Sequence, residues 1–131
     1  MSLIASVLTL IGLALPLSLF PGSSSGASDP VSVTDYRAVY DVAADGTMTA
    51  KETITADFPD GRHGIFRFWD VTDPGHSGVR YIPDNIRISL DGVDVPSTLS
   101  WEKGKRFRVA KIGDPDNYLT PGIHTYTIDY T

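Results

Sequence analysis

Glu52 most invites a chemical reading. It sits in the run Ala50-Lys51-Glu52-Thr53-Ile54. Successive side chains of a strand point to opposite faces. Met48, Ala50, Ile54, Ala56 and Phe58 therefore share one apolar face, and Glu52 shares it with them. A carboxylate on an apolar face must be paired, hydrogen-bonded or protonated. Protonated, it is a candidate general acid or base; paired, it is a strut between strands. The nearest candidate partner along the chain is Arg67, in His63-Gly64-Ile65-Phe66-Arg67. Its guanidinium can meet a carboxylate with two parallel hydrogen bonds. The expectation is a close Glu52–Arg67 ion pair with a structural role and no assigned catalytic residue. If Arg67 faces inward, so do Ile65 and Trp69, while Phe66 and Phe68 face outward. Two outward Phe on one strand form a candidate interaction patch for a partner or a membrane. The alternative places Phe66 and Phe68 in the core and Arg67 in water.

Other chemistries are weaker in the sequence. An enzyme acting on cell-wall or glycan substrates would need two carboxylates in one cleft, about 5–10 Å apart. Glu52 with Asp57 or Asp70 would be the candidates. His63, His76 and His124 lack ligand spacing, so no metal site is expected. Asp114-Pro115-Asp116-Asn117 bunches oxygen ligands as calcium sites do, which keeps a calcium-stabilised adhesion-type domain as an alternative. Such clusters are more often turns. Ser23–Ser25 have no neighbouring His to act as base. Trp69 and Trp101 could stack on a sugar, though core packing is the simpler role. Each Gly reads as a turn residue rather than part of a phosphate cradle. With 0 Cys there is no disulfide framework and no thiolate site, and no cofactor is expected. The net charge of -5, with no basic cluster apparent, argues against a nucleic-acid partner.

The elements that must position these residues read as strands. Val31–Val42 alternates, with Tyr36, Ala38, Tyr40 and Val42 on one face. Asp45-Gly46 is a hairpin turn, and Thr47–Phe58 follows. Gly64–Asp70 is a short aromatic strand and Asp73–Pro83 a loop. Asn85–Leu90 and Val93–Val95 flank the turn Asp91-Gly92. Thr98–Glu102 and Arg106–Ile112 flank Lys103-Gly104-Lys105. Asp114–Pro121 is a loop, and Gly122–Tyr130 is the last strand. Roughly eight short antiparallel strands with regular turns predict an all-β fold, a β-sandwich that is Ig-like or similar. One apolar N-terminal helix precedes it.

That helix is expected over Leu3–Phe20, an almost continuous apolar run of roughly 27 Å if helical, close to the hydrocarbon thickness of a bilayer. No charged residue occurs before Asp29. The tether Pro21–Ala27 follows, and Ser25-Gly26-Ala27 offers small residues for cleavage after Ala27. A cleaved signal peptide and a retained anchor helix both fit, although neither Lys nor Arg marks the start. The expected organisation is a leader and tether over 1–27 and an extracytoplasmic domain over 28–131. Because Thr131 falls in mid-strand, the domain is expected to continue in a longer protein.

The chain also resembles the N-terminal part of the predicted membrane proteins known as domain of unknown function 2207. The resemblance rests on Tyr36–Val42, Asp45–Ile54, Arg62–Arg67, Lys111–Asp116 and Gly122–Ile128, in order. Where that family usually runs Asp-Ile-Pro after the Arg, this chain has Phe68-Trp69-Asp70. The resemblance implies a signal segment, an extracytoplasmic β domain and membrane helices further on. The expected partners are the membrane, through the N-terminal segment or helices beyond Thr131, and a protein of the cell envelope. The expected function is a non-catalytic binding or assembly domain of a bacterial membrane protein.

Overall fold

A computed structural model describes residues 30–131 of the chain. The expected apolar helix, the tether, its cleavage point and Ser23–Ser25 lie outside the described residues.

Eight strands follow one another: β1 (Ser32–Val42), β2 (Met48–Phe58), β3 (Gly64–Asp70), β4 (Arg87–Leu90), β5 (Val93–Asp94), β6 (Ser97–Glu102), β7 (Phe107–Gly113) and β8 (Gly122–Tyr130). They form two antiparallel sheets, with orders β1-β2-β8-β4-β5 and β3-β7-β6. The described residues contain no helix. The expected all-β sandwich is therefore the fold.

Local chemistry explains the hairpins. Between β1 and β2, the Asp45 carboxylate accepts from the Thr47 amide at 2.9 Å, and Gly46 takes a φ of 88°. A positive φ carries no steric cost for glycine. Register then runs from Val42↔Met48 to Tyr36↔Ile54. This pairing sets Tyr36, Ala38 and Tyr40 beside the inward face of β2. β1 is an edge strand. A bulge between Val33 and Asp35 and the outward charges of Asp35, Arg37 and Asp41 protect it from pairing with other chains.

The chain crosses between the sheets four times, after β2, β3, β5 and β7. The loop after β3 carries it to β4, held by the Thr72↔Arg80 bridge and the Tyr81 amide on the Val71 carbonyl at 2.8 Å. Pro96 returns it to the small sheet, with its carbonyl accepting from the Gly113 amide at 2.9 Å. Between the sheets lies one apolar core. Ile54, Phe58, Tyr126 and Ile128 from the large sheet meet Ile65, Trp69, Ala110 and Ile112 from the small one. Each of the Ile and Phe side chains contributes about 1.5–3 kcal/mol by leaving water.

Gly64 and Gly113 depart from the turn role expected of every glycine. They face each other across β3 and β7. The two backbones approach so closely that a Cβ on either would overlap the opposite strand: Gly64 meets the Ile112 carbonyl, and Gly113 meets that of His63.

Candidate functional site

Two buried charges sit inside the apolar layer. Glu52 is 0% exposed and Arg67 4%. β2 supplies the carboxylate from the inner face of the large sheet, and β3 supplies the guanidinium from the facing sheet. Arg67 Nε donates to Glu52 Oε2 at 2.8 Å and Nη2 to Oε1 at 2.7 Å. Tyr130, at the end of β8, adds its hydroxyl to Oε1 at 2.7 Å. The remaining guanidinium nitrogen, Nη1, donates to the Phe68 carbonyl. Both charges are thus hydrogen-bonded as well as paired, which is what burial of an ion pair requires.

Aromatic rings enclose the pair. The guanidinium lies 4.7 Å over the Trp69 ring, and Trp69 meets Tyr130 edge-on at 5.5 Å. Tyr36 and Tyr40 from β1 complete the wall. Their buried hydroxyls find no protein partner of normal geometry among the described residues. Burial opposes the Arg67 charge, and the Glu52 carboxylate outweighs it, holding the guanidinium firmly protonated. Burial, reinforced by Glu52, pushes the Tyr40 phenol up to about 12 and also raises Tyr36 and Tyr130. These phenols therefore stay protonated at neutral pH. Tyr130→Phe is expected to cost about 1.5–3 kcal/mol, the range for a hydrogen bond to a charged group. Urea unfolding would measure it, and a loss below about 0.5 kcal/mol would show that the Tyr130 hydroxyl carries little of the cluster.

The other carboxylates do not join this cluster. Asp57 is exposed on β2. Asp70 binds Arg106, which donates through Nε at 3.0 Å and Nη2 at 2.7 Å. The enclosed Glu52 therefore shares no cleft with either. Asp114 caps its own turn, accepting from the Asp116 amide at 2.9 Å and the Asn117 side chain at 2.6 Å. Among the described residues, no group of three or more His, Asp or Glu is placed to hold a metal ion.

Each histidine has separate local partners. His63 Nδ1 donates to the Asn117 carbonyl at 2.8 Å, and its ring stacks on Tyr118 at 4.2 Å, tying the β7–β8 loop to β3. His76 contacts Asp73 at 3.2 Å in the loop after β3. His124 Nδ1 meets Asp91 Oδ2 at 2.6 Å, and Nε2 meets the Thr120 carbonyl at 2.6 Å. Both partners are acceptors, so the arrangement suits the doubly protonated ring. Partial burial would push His124 down, but its bonds to Asp91 and Thr120 outweigh this and raise it. Desolvation likewise opposes the Asp91 charge, and the Thr125 amide and His124 lower its pKa nonetheless. The raised histidine contributes stability fully below its ordinary pKa of about 6.5, and loses it as pH rises through the folded value. The lowered Asp91 contributes above about 3.8 and loses its share as pH falls through its folded value. Together they predict most support between about pH 4 and 6.5. Since Asp91 is half in water, the effect is about 0.5–1 kcal/mol. Asp91→Asn should flatten this part of a stability-versus-pH curve; an unchanged curve would exclude the pair as its source.

Phe66 and Phe68 do point away from the core, and Ile65, Arg67 and Trp69 point into it. They are half-buried rather than fully exposed, because they pack on their own sheet. Phe66, Phe68 and Phe107 form a row with ring centres 6.2 and 6.3 Å apart. The row covers Val109, which is 1% exposed yet lies outside the inter-sheet core. The β6–β7 hairpin brings Lys103, Lys105, Arg106 and Lys111 to this side, together with the acidic Glu102, while Arg108, opposite Trp69, lies on the inner face. Sequence reasoning missed Phe107, because only the Asp70↔Phe107 register brings it beside Phe68. It also missed Tyr130 as the third member of the buried cluster, although the alternation of β8 gives that residue inward parity.

The geometry defines an all-β sandwich domain whose two sheets are locked by a buried carboxylate, guanidinium and phenol. Residues 32–131 match the family model described as predicted membrane protein (DUF2207), N-terminal domain. The chain belongs to that family of membrane proteins, whose domain has no known function. No curated protein and no solved structure matches the chain significantly.

Proposed function

We propose that residues 28–131 form a non-catalytic binding or assembly domain on the extracytoplasmic side of a bacterial membrane protein. The observation that carries this reading is the enclosure of Glu52. The residue best suited to acid–base chemistry is consumed by Arg67 and Tyr130 in joining the sheets. Membership in a membrane-protein family and the apolar run Leu3–Phe20 support the placement, with that run serving as signal peptide or anchor. The partner is a component of the cell envelope. The test exploits a chain with 0 Cys. A single cysteine placed at Val93, which is 70% exposed, provides a topology reporter. In intact cells, the chain carrying Val93→Cys should react with a membrane-impermeant maleimide. Labelling only after lysis would overturn the extracytoplasmic placement.

A further inference from the structure

We propose that the outer face of the β3-β7-β6 sheet docks on an anionic phospholipid bilayer. The inference deepens the reading of a membrane-bound domain and rests on its standing beside a bilayer. It starts from charge. The face and its hairpin tip carry Lys103, Lys105, Arg106 and Lys111 against Asp70 and Glu102, net +2 within a chain of net -5, while Arg108, the cross-strand neighbour of Trp69 and Trp101, lies on the inner face. One face of an acidic domain is therefore mildly basic. Near a negatively charged surface, such a domain turns that face toward the lipid and its acidic remainder away.

The same face carries the apolar groups that a bilayer interface takes up. Phe66, Phe68 and Phe107 form a continuous half-buried stripe, and cations stand at both ends. Lys103 Nζ lies 5.8 Å and the Arg106 guanidinium 5.1 Å from the centre of the Phe107 ring. Lys111 is the cross-strand neighbour of Phe66 at the other end. Aromatic rings flanked by Lys and Arg match the headgroup boundary, where rings enter the acyl edge and cations meet phosphate. Asp70, the carboxylate on this face of β3, is neutralised by Arg106. Tethering to the membrane keeps the face at high local concentration, so weak docking suffices.

The test uses the 131-residue chain inserted in vesicles of phosphatidylcholine, with or without phosphatidylglycerol. An environment-sensitive dye is attached through Ser100→Cys, whose β7 neighbour is Val109 beneath the stripe. A control carries the dye through Val39→Cys on β1, which is 58% exposed. The expected result is a blue shift at position 100 only with phosphatidylglycerol, reversed by high salt, and none at position 39. Each Lys near an anionic surface is worth about 1 kcal/mol, so Lys103→Gln with Lys105→Gln should weaken docking roughly thirtyfold. Both lysines are exposed at the hairpin tip, away from the inter-sheet cluster, so an unchanged melting curve is expected. Equal signals in the two lipids, or equal signals at the two positions, would overturn the proposal. Maleimide access at Val93→Cys is read separately, so failed docking and misplaced topology give different results.

Discussion

Arg67→Ala is expected to destabilise the domain by about 3–5 kcal/mol, the cost of leaving a buried charge without its partner. Glu52 would lose both guanidinium bonds while remaining enclosed, with Tyr130 alone on Oε1. Domains of this size have about 5–15 kcal/mol in total. At about 4–8 °C per kcal/mol, the midpoint of thermal unfolding should fall by roughly 12–40 °C. Glu52→Ala should behave similarly, because it strands Arg67 at 4% exposure. The pair in combination separates the charge from the space it fills. Glu52→Leu with Arg67→Met should be more stable than either single alanine variant, since a buried ion pair is often replaceable by apolar groups of similar volume. Urea unfolding of the parent, Glu52→Leu, Arg67→Met and the double variant forms the necessary cycle. A loss under about 1 kcal/mol for Arg67→Ala would mean that water reaches the carboxylate and the pair is not a lock.

Gly113→Ala is expected to cost about 3 kcal/mol or more. The added methyl group would overlap the His63 carbonyl, which belongs to the backbone and cannot rotate away. Overpacking typically costs about 1–3 kcal/mol. The φ of 137° at Gly113 adds strain that a side chain cannot relieve. Gly64→Ala should show the same effect from the opposite strand, through the Ile112 carbonyl. Because the two glycines form one close approach, the double variant should not cost the sum of the singles. Gly46→Ala provides the contrast, because nothing lies within 4 Å of a Cβ there and only the φ of 88° opposes it. Midpoints of urea unfolding for these variants would rank them. A Gly113→Ala protein as stable as the parent would show that β3 and β7 can separate without loss.

Strand identity was legible because period-two alternation and turn residues are local. The bounds of β3 and β8 agree with the alternation and its flanking glycines, and the hairpin turns fall at Asp45-Gly46 and Asp91-Gly92. Glu52 was also legible, because parity alone places it among apolar neighbours. Parity carried the orientation of Arg67 only as far as two alternatives. Alternation says that Phe66 and Phe68 oppose Arg67; it does not say which set meets the other sheet.

The amino-acid sequence by itself thus determined the all-β class, the membrane-protein family and the odd charge inside a strand. Each depends on local pattern or on residues read in order. Only the tertiary structure decided which groups meet. Tyr130 reaches Glu52 across a separation of 78 residues, through the β2–β8 register. Phe107 joins Phe68 through the β3–β7 register, and Gly64 faces Gly113 for the same reason. Pairing between distant strands depends on how both sheets bury their apolar faces together, and no window along one strand contains that information. Glu52 therefore enters as a residue capable of chemistry and becomes, once β3 and β8 are in place, the acceptor that holds the sandwich closed.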